Sequence, residues 1–277
     1  MKVAVLSRVA YPLHGFGGLE RHVGSLVRHL AQKNVAVTLY TTPPEQEAVE
    51  LGGVSLRPVP YRIIPWPRRA GFVVADRITN YLVWSLRAGL RAAIERPDIV
   101  QAEAGGGFGY AWHREPSGPP LVLHPHGMEE FKAGWLKRTS YLPLRSAVRY
   151  AARRAERVLV PDRAMVDEVH RHLSVRSSQS VVLPNAVDLE EIDRPVPRAV
   201  CESVIERWDL AEGFTVILSV GRLESNKGFA LLAEALAQVK ETLPPRWLWV
   251  LVGSGPEESH LRRKVRELGL QDNTRFT

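Results

Sequence analysis

The chain has 277 residues, 45% hydrophobic and 24% charged, the balance of a folded protein with material for about two domains. A single cysteine, Cys201, excludes an internal disulfide and a cysteine-built zinc cage, and no apolar run approaches the roughly 18–20 residues that span a bilayer. The net charge of +7 favours anionic partners (phosphorylated small molecules, nucleic acid or an anionic membrane face) without choosing among them.

KVAVLS (2–7) is a compact apolar run of the kind expected of a central strand in a parallel sheet. It is too short for the core of a signal peptide, and the expected location is cytoplasmic. The glycine-rich YPLHGFGG (11–18) follows, then a helical pattern with Leu19, Val23, Leu26, Val27 and Leu30 on one face, then strand VAVTLY (35–40). Strand, glycine loop, helix, strand is a βαβ unit, so a doubly wound α/β sheet leads the candidate folds. The alternation continues through strand GVSLRPVP (53–60), the irregular YRIIPWPRRAGF (61–72), a helix over 76–95, and strands PDIVQAE (97–103) and PLVLHPHG (120–127). A basic helix over 137–156, strand RVLVP (157–161), a helix in RAMVDEVHRHL and strand SVVLPNAVD (180–188) complete a first domain, residues 1–192.

The proline-bearing DRPVPRAV (193–200) reads as a connector into a second domain, residues 193–277. There the alternation restarts: FTVILSV (214–220), a helix over 228–240, RWLWVLVGSG (246–255), a helix over 257–268, and NTRFT (273–277). About three strands are few for an α/β domain. This second domain is expected to be incomplete, with a sheet edge and apolar surface left uncovered.

The chemistry concentrates where strands end in glycine turns. In SVGRLESNKGF (219–229), Gly221 permits a tight turn and Arg222 and Lys227 sit before a helix N-terminus. Two cations beside helix amides suit a phosphate, Arg gripping two oxygens and Lys supplying a point charge; a solvated basic turn is the other reading. The turn GSGPEE, with Gly253 and Gly255, ends the next strand and is expected beside that loop. Near the N-terminus, Gly17 and Gly18 leave backbone amides open to a close-approaching ligand, or simply solve the sterics of a turn.

His124 and His126 stand two apart at a strand end, so a metal must be considered, but no third ligand stands out and none is expected. His126, followed by Gly127, is better placed to face a ligand, as a donor to a hydroxyl or to developing charge; a structural hydrogen-bonded histidine is the alternative. The stretch 135–157 is basic, with Leu136, Leu144, Val148, Ala151 and Ala155 suited to its buried side and Arg145, Arg149, Arg153, Arg154 and Arg157 largely elsewhere, near aromatic side chains. With 61–72 it could lie against anionic lipid, or simply be a solvated face. Dispersed arginines and the lack of a recognition module count against nucleic acid.

Taken together, GGLERHV, PHG, LPNAVDLEEI, SVGRLESNKGFALLAEAL and LVGSGPEESHLRRKVRELGLQDNTRFT resemble, in order and spacing over nearly the whole chain, the GT-B glycosyltransferases of the retaining family 4. The resemblance implies an α/β fold of two Rossmann-like domains (GT-B), the second incomplete. It also implies transfer of a hexose-type sugar from a nucleotide-sugar donor to a glycan, lipid-linked or small-molecule acceptor, without a metal or other cofactor and without a protein nucleophile. Arg222 and Lys227 would hold the donor diphosphate, His126 would approach the transferred sugar, and Gly17 and Gly18 would lie near the donor phosphates and acceptor path, with Gly253, Gly255 and Asn185 also on the binding side. The family pattern has glycine where this chain has Ala186, which would strain that turn modestly if it needs a positive φ. The pattern also continues well past Thr277, through a paired-glutamate motif and a closing helix. The alternative is therefore a non-catalytic fragment that retains only nucleotide or phosphate affinity.

Overall fold

From Val3 onward every residue of β1 (Lys2–Leu6) is buried, because both faces of the sheet it founds are covered. Val3 and Val5 enter a core with Val23, Val27, Val37 and Leu39, while Ala4 and Leu6 enter another with Trp84, Tyr110 and Leu123. A strand with two buried faces reads as a continuous apolar run, which is why KVAVLS shows no alternation. The computed structural model describes all residues except 16, 45–50, 63, 65–72, 133–138, 209, 211 and 212. Most of YRIIPWPRRAGF, and Leu136 with the start of the basic stretch, thus lie outside the described residues.

The chain divides into two units, Met1–Asp193 and Arg194–Thr277. In the first, β1 is followed by α1 (Gly18–Gln32), β2 (Ala36–Thr41), β3 (Val54–Pro58), α2 (Val73–Glu95), β4 (Ile99–Glu103), α3 (Gly107–His113) and β5 (Leu121–His124). Then come α4 (Leu142–Arg154), β6 (Arg157–Val160), α5 (Val166–Leu173), β7 (Ser180–Val182) and the short α6 (Leu189–Ile192). The seven strands pair in parallel in the order β3-β2-β1-β4-β5-β6-β7. The chain works outward from β1 to β3 and then returns to the other side of β1. That reversal opens a crevice beyond the carboxyl ends of β1 and β4, where doubly wound sheets bind ligands.

The second unit holds α7 (Arg198–Arg207), β8 (Thr215–Val220), α8 (Phe229–Val239), β9 (Trp247–Val252), α9 (Glu258–Glu267) and β10 (Thr274–Phe276). Its three strands are parallel in the order β10-β9-β8 around a core of Leu223, Phe229, Trp249, Leu251 and Leu261. One face of β8 stays exposed, with Leu218 at 61% and Val220 at 68%.

The basic stretch differs from its sequence reading in one respect. Arg145 is buried, at 5% exposure, with its guanidinium 5.0 Å from the Phe131 ring, and Arg149 sits 5.4 Å from the same ring. Stacking on an aromatic face lets a weakly hydrated guanidinium leave water, so these two arginines are partly withdrawn from the solvated face. Arg157 lies in β6 and not in the helix. Among the described residues no helix is long and apolar enough to cross a membrane.

Candidate phosphate loop and histidine cluster

In the second unit two turns lie backbone against backbone. Gly221 N donates to Val252 O at 3.0 Å, Leu223 N to Ser254 O at 2.9 Å, and Glu257 N to Leu223 O at 3.0 Å. A Cβ on Gly253 would stand 2.0 Å from Gly221 O, and one on Gly255 2.4 Å from Leu223 O, so only glycine permits this approach. The contact fixes the loop carrying Arg222 and Lys227. Arg222 is 71% exposed and its Nη1 lies 3.0 Å from Glu224 Oε1; Lys227 is also exposed. Gly228, at φ +73°, closes the turn and opens α8, whose first amides face back along the loop. Two solvated cations and a helix N-terminus on a rigid turn can bind a di- or polyphosphate.

In the first unit the glycine loop opens α1. Gly17, at φ −66°, is its N-cap, and a Cβ on Gly18 would meet nothing within 4 Å among the described residues. Gly18 and Asn185 line one pocket of about 290 Å³ with Tyr11, Arg21, His22 and Arg28. The segment carrying Asn185 is tied to α1 by Arg28–Glu191 at 3.7 Å and His29–Asp188 at 3.6 Å. Ala186 is not among the residues with positive φ, so alanine is accommodated there without strain.

Beside that pocket the ends of β4 and β5 assemble a cluster. The strands are in register with Glu103 opposite His124, so a carboxylate and an imidazole emerge side by side. His126, in the left-handed region at φ +57°, turns back and donates from Nε2 to Glu103 Oε2 at 2.6 Å. His124 Nδ1 stands 3.5 Å from the same oxygen. His22, from the second turn of α1, stands edge-on to both, with ring centroids 5.0 Å from His124 and 5.2 Å from His126. Burial pushes the Glu103 carboxyl up, but the His126 hydrogen bond and the nearby imidazoles outweigh it and hold the group below the usual carboxylate range. Burial pushes His124 down to about 4, helped by His126 and opposed by Glu103. Burial also lowers His22, with Glu103 opposing and His126 reinforcing.

A family model described as Glycosyltransferase Family 4 matches residues 16–191, well over half of the chain. The chain belongs to glycosyltransferase family 4. A second model, Glycosyl transferases group 1, matches residues 202–277 of this family 4 chain. It is 28% identical over 278 residues to the 2-deoxystreptamine N-acetyl-D-glucosaminyltransferase of Streptomyces fradiae, covering 94% of this chain and 64% of that protein. It is 27% identical over 281 residues to the D-inositol 3-phosphate glycosyltransferase of Nocardiopsis dassonvillei, covering 94% of this chain and 63% of that one. The family 4 chain thus spans just under two thirds of the length of these relatives. Sucrose-phosphate synthase from Thermosynechococcus elongatus shares its fold, with a TM-score of 0.71 at 18% identity, covering 100% of this chain and 70% of that one. The α/β build of two Rossmann-like units, the second partial beside such neighbours, is thereby that of the GT-B transferases.

Of the residues singled out from sequence, Arg222 shares its loop with Lys227, and that loop meets the Gly253–Gly255 turn through Gly221 and Leu223, while Gly18 shares its pocket with Asn185. The sequence reading missed Glu103 and His22. One signal was available for Glu103: a carboxylate closing an otherwise apolar strand beside the switch point is costly there without a partner.

Proposed function

We propose that the family 4 chain belongs to a retaining glycosyltransferase that moves a hexose-type sugar from a nucleotide-sugar donor to an acceptor hydroxyl. The observation that carries this reading is the loop that puts Arg222 and Lys227 in solvent beside the α8 N-terminus, clamped by the Gly253–Gly255 turn. In this reading residues 193–277 form the donor-side domain and residues 1–192 the acceptor-side domain. Arg222 releases Glu224 to grip two diphosphate oxygens, and Lys227 adds a point charge. As the bond from the anomeric carbon to the diphosphate oxygen breaks, both cations stabilise the charge that collects on the leaving group, a task that needs no metal cofactor. The acceptor oxygen forms the new glycosidic bond on the same face, and its proton passes to the leaving diphosphate. No protein nucleophile takes part. His126, held by Glu103, faces the transferred sugar, and Gly17, Gly18 and Asn185 line the approach.

Relatives named for 2-deoxystreptamine and for D-inositol 3-phosphate fit a small-molecule acceptor, while others named for lipopolysaccharide core biosynthesis and for a diphospho-undecaprenol substrate fit a glycan or a lipid-linked one. A lipid-linked acceptor would instead bring the chain to an anionic membrane, which its net charge of +7 favours.

Calorimetric titration of the 277-residue chain with pyrophosphate and with a panel of nucleotide-sugars tests the donor site. Arg222→Ala and Lys227→Ala should each weaken binding at least about tenfold, the loss of one charge-assisted contact. Undiminished binding in both variants rejects the phosphate assignment. Donor binding by the intact chain without hydrolysis or transfer favours the second reading, a non-catalytic nucleotide-binding chain.

A further inference from the structure

The histidine cluster carries more donor atoms than the transfer reaction uses. Nε2 of His22 and both ring nitrogens of His124 are buried and have no hydrogen-bond partner among the described residues. His124 is only 2% exposed, so its nitrogens cannot be satisfied by bulk water. A well-formed interior pairs nearly all such atoms, and those left over call for an explanation.

We propose that His22, Glu103, His124 and His126 form a binding site for one transition-metal ion of the zinc type. Each offers one ligand atom, and these atoms all lie within 4.8 Å of one another. Tetrahedral zinc, with bonds of about 2.0–2.2 Å, needs its ligand atoms roughly 3.4 Å apart, a spacing reached here by small side-chain rotations. The Glu103–His126 hydrogen bond, at 2.6 Å, opens to admit the ion between its two partners.

Three imidazoles and one carboxylate suit zinc, cobalt or nickel; calcium and magnesium want oxygen-rich shells. The ligands sit on rigid elements: Glu103 and His124 face each other across paired strands, His126 is fixed by its left-handed turn, and His22 stands on α1. Such a site is largely formed before the ion arrives. His22 also lines the pocket beside Gly18 and Asn185, which gives the ion a way in from solvent.

An ion held here occupies His126, so it is not a cofactor of the transfer proposed above; metal occupancy and the sugar-facing role of His126 exclude each other. That exclusion rests on the transferase reading, whereas metal binding does not, and its test uses no activity.

The 277-residue chain, stripped with chelator, is titrated with Co2+ and, by calorimetry, with Zn2+. One equivalent should saturate the site, with the intense visible d–d bands of a four- or five-coordinate cobalt centre. His22→Ala and His126→Ala should each weaken binding at least tenfold. Histidine ring-nitrogen NMR of the unmutated chain gives a reading that does not depend on the variants folding. Of the nine histidines, Zn2+ should move the signals of His22, His124 and His126. Absence of saturable binding, affinity unchanged in both variants, or zinc-induced shifts confined to the other six histidines would overturn the proposal.

Discussion

Glu103 Oε2 lies 2.6 Å from His126 Nε2 while the Glu103 side chain is 1% exposed, so a buried carboxylate depends on one partly exposed imidazole for its strongest contact. A buried anion survives only where such contacts replace its hydration. Cutting Glu103 to alanine leaves a void and takes the acceptor from His126 Nε2 and from Gln101 Nε2. We expect Glu103→Ala to lower stability by about 3 kcal/mol, in the range for breaking a buried pair, and Glu103→Gln, which keeps an acceptor, to cost less. Urea unfolding at neutral pH checks this, with an unchanged slope and a lower midpoint for alanine than for glutamine. Equal midpoints for both variants and the unmutated chain would show that the pair contributes nothing.

Gly253 and Gly255 make a second case, because the atoms their side chains would strike are backbone carbonyls that cannot swing aside. Gly253 also sits at φ +143°, a conformation L-residues rarely adopt. Gly253→Ala and Gly255→Ala should each destabilise by at least about 2 kcal/mol, the scale of backbone strain and overpacking, and should weaken pyrophosphate binding by displacing Arg222. Gly18→Ala, whose Cβ meets nothing within 4 Å among the described residues, should leave stability within about 0.5 kcal/mol. Thermal unfolding of the three variants separates the cases; equal melting temperatures would contradict the packing argument.

The features legible in the sequence were those written in local pattern. The unbroken apolar run of β1 gave away two buried faces, and the chain-order alternation around the glycine loop gave the doubly wound topology. Arg222 and Lys227 were visible because a strand, a glycine turn and a helix start lie within eleven residues of one another. Glu103 was not, because its role depends on which strand β4 pairs with and in what register, and that is decided by residues 18 or more positions away. His22 escaped for a related reason: it flanks the apolar stripe of α1 and reads as a surface residue until β4 and β5 are brought beside it. Aromatic neighbours of the basic stretch were legible, but the burial of Arg145 was not, because helical periodicity counts an arginine as solvated and the ring it meets, Phe131, stands outside its helix.

Acid sensitivity should appear at Glu156. Arg114, 11% exposed, donates from Nη1 to Glu156 Oε2 at 2.9 Å, and Leu121 N donates to the same oxygen at 2.7 Å. Burial is the largest single influence and raises the carboxyl, but the Arg114 contacts and the Leu121 amide together prevail and hold it below the usual carboxylate range. A depressed folded-state pKa stabilises above the unfolded value of roughly 4.3 and loses that contribution as pH falls through the folded value. Because the carboxylate is 41% exposed, solvent screening limits the effect, and Glu156→Gln should cost about 1 kcal/mol at pH 7. The gap between variant and parent should narrow as the pH drops below about 4. Chemical denaturation across pH 3–7 reads it directly, and a gap that widened in acid would reverse the sign argued here.

The exposed face of β8 should drive association between copies of the chain. Val216, Leu218 and Val220 alternate along an edge strand and present three apolar side chains to solvent. An edge strand with an apolar face is a template for association between chains, since its free amides and carbonyls pair while the side chains leave water. These residues contribute little to the fold of the unit, because their side chains are not in its core. Replacing Leu218 with lysine and Val220 with threonine should therefore leave the unfolding free energy within about 0.5 kcal/mol while reducing self-association. Sedimentation velocity at several concentrations, paired with denaturant unfolding, tests both halves. A chain that is already monomeric at every concentration would remove the premise, and a large loss of stability in the double variant would mean that this face is packed.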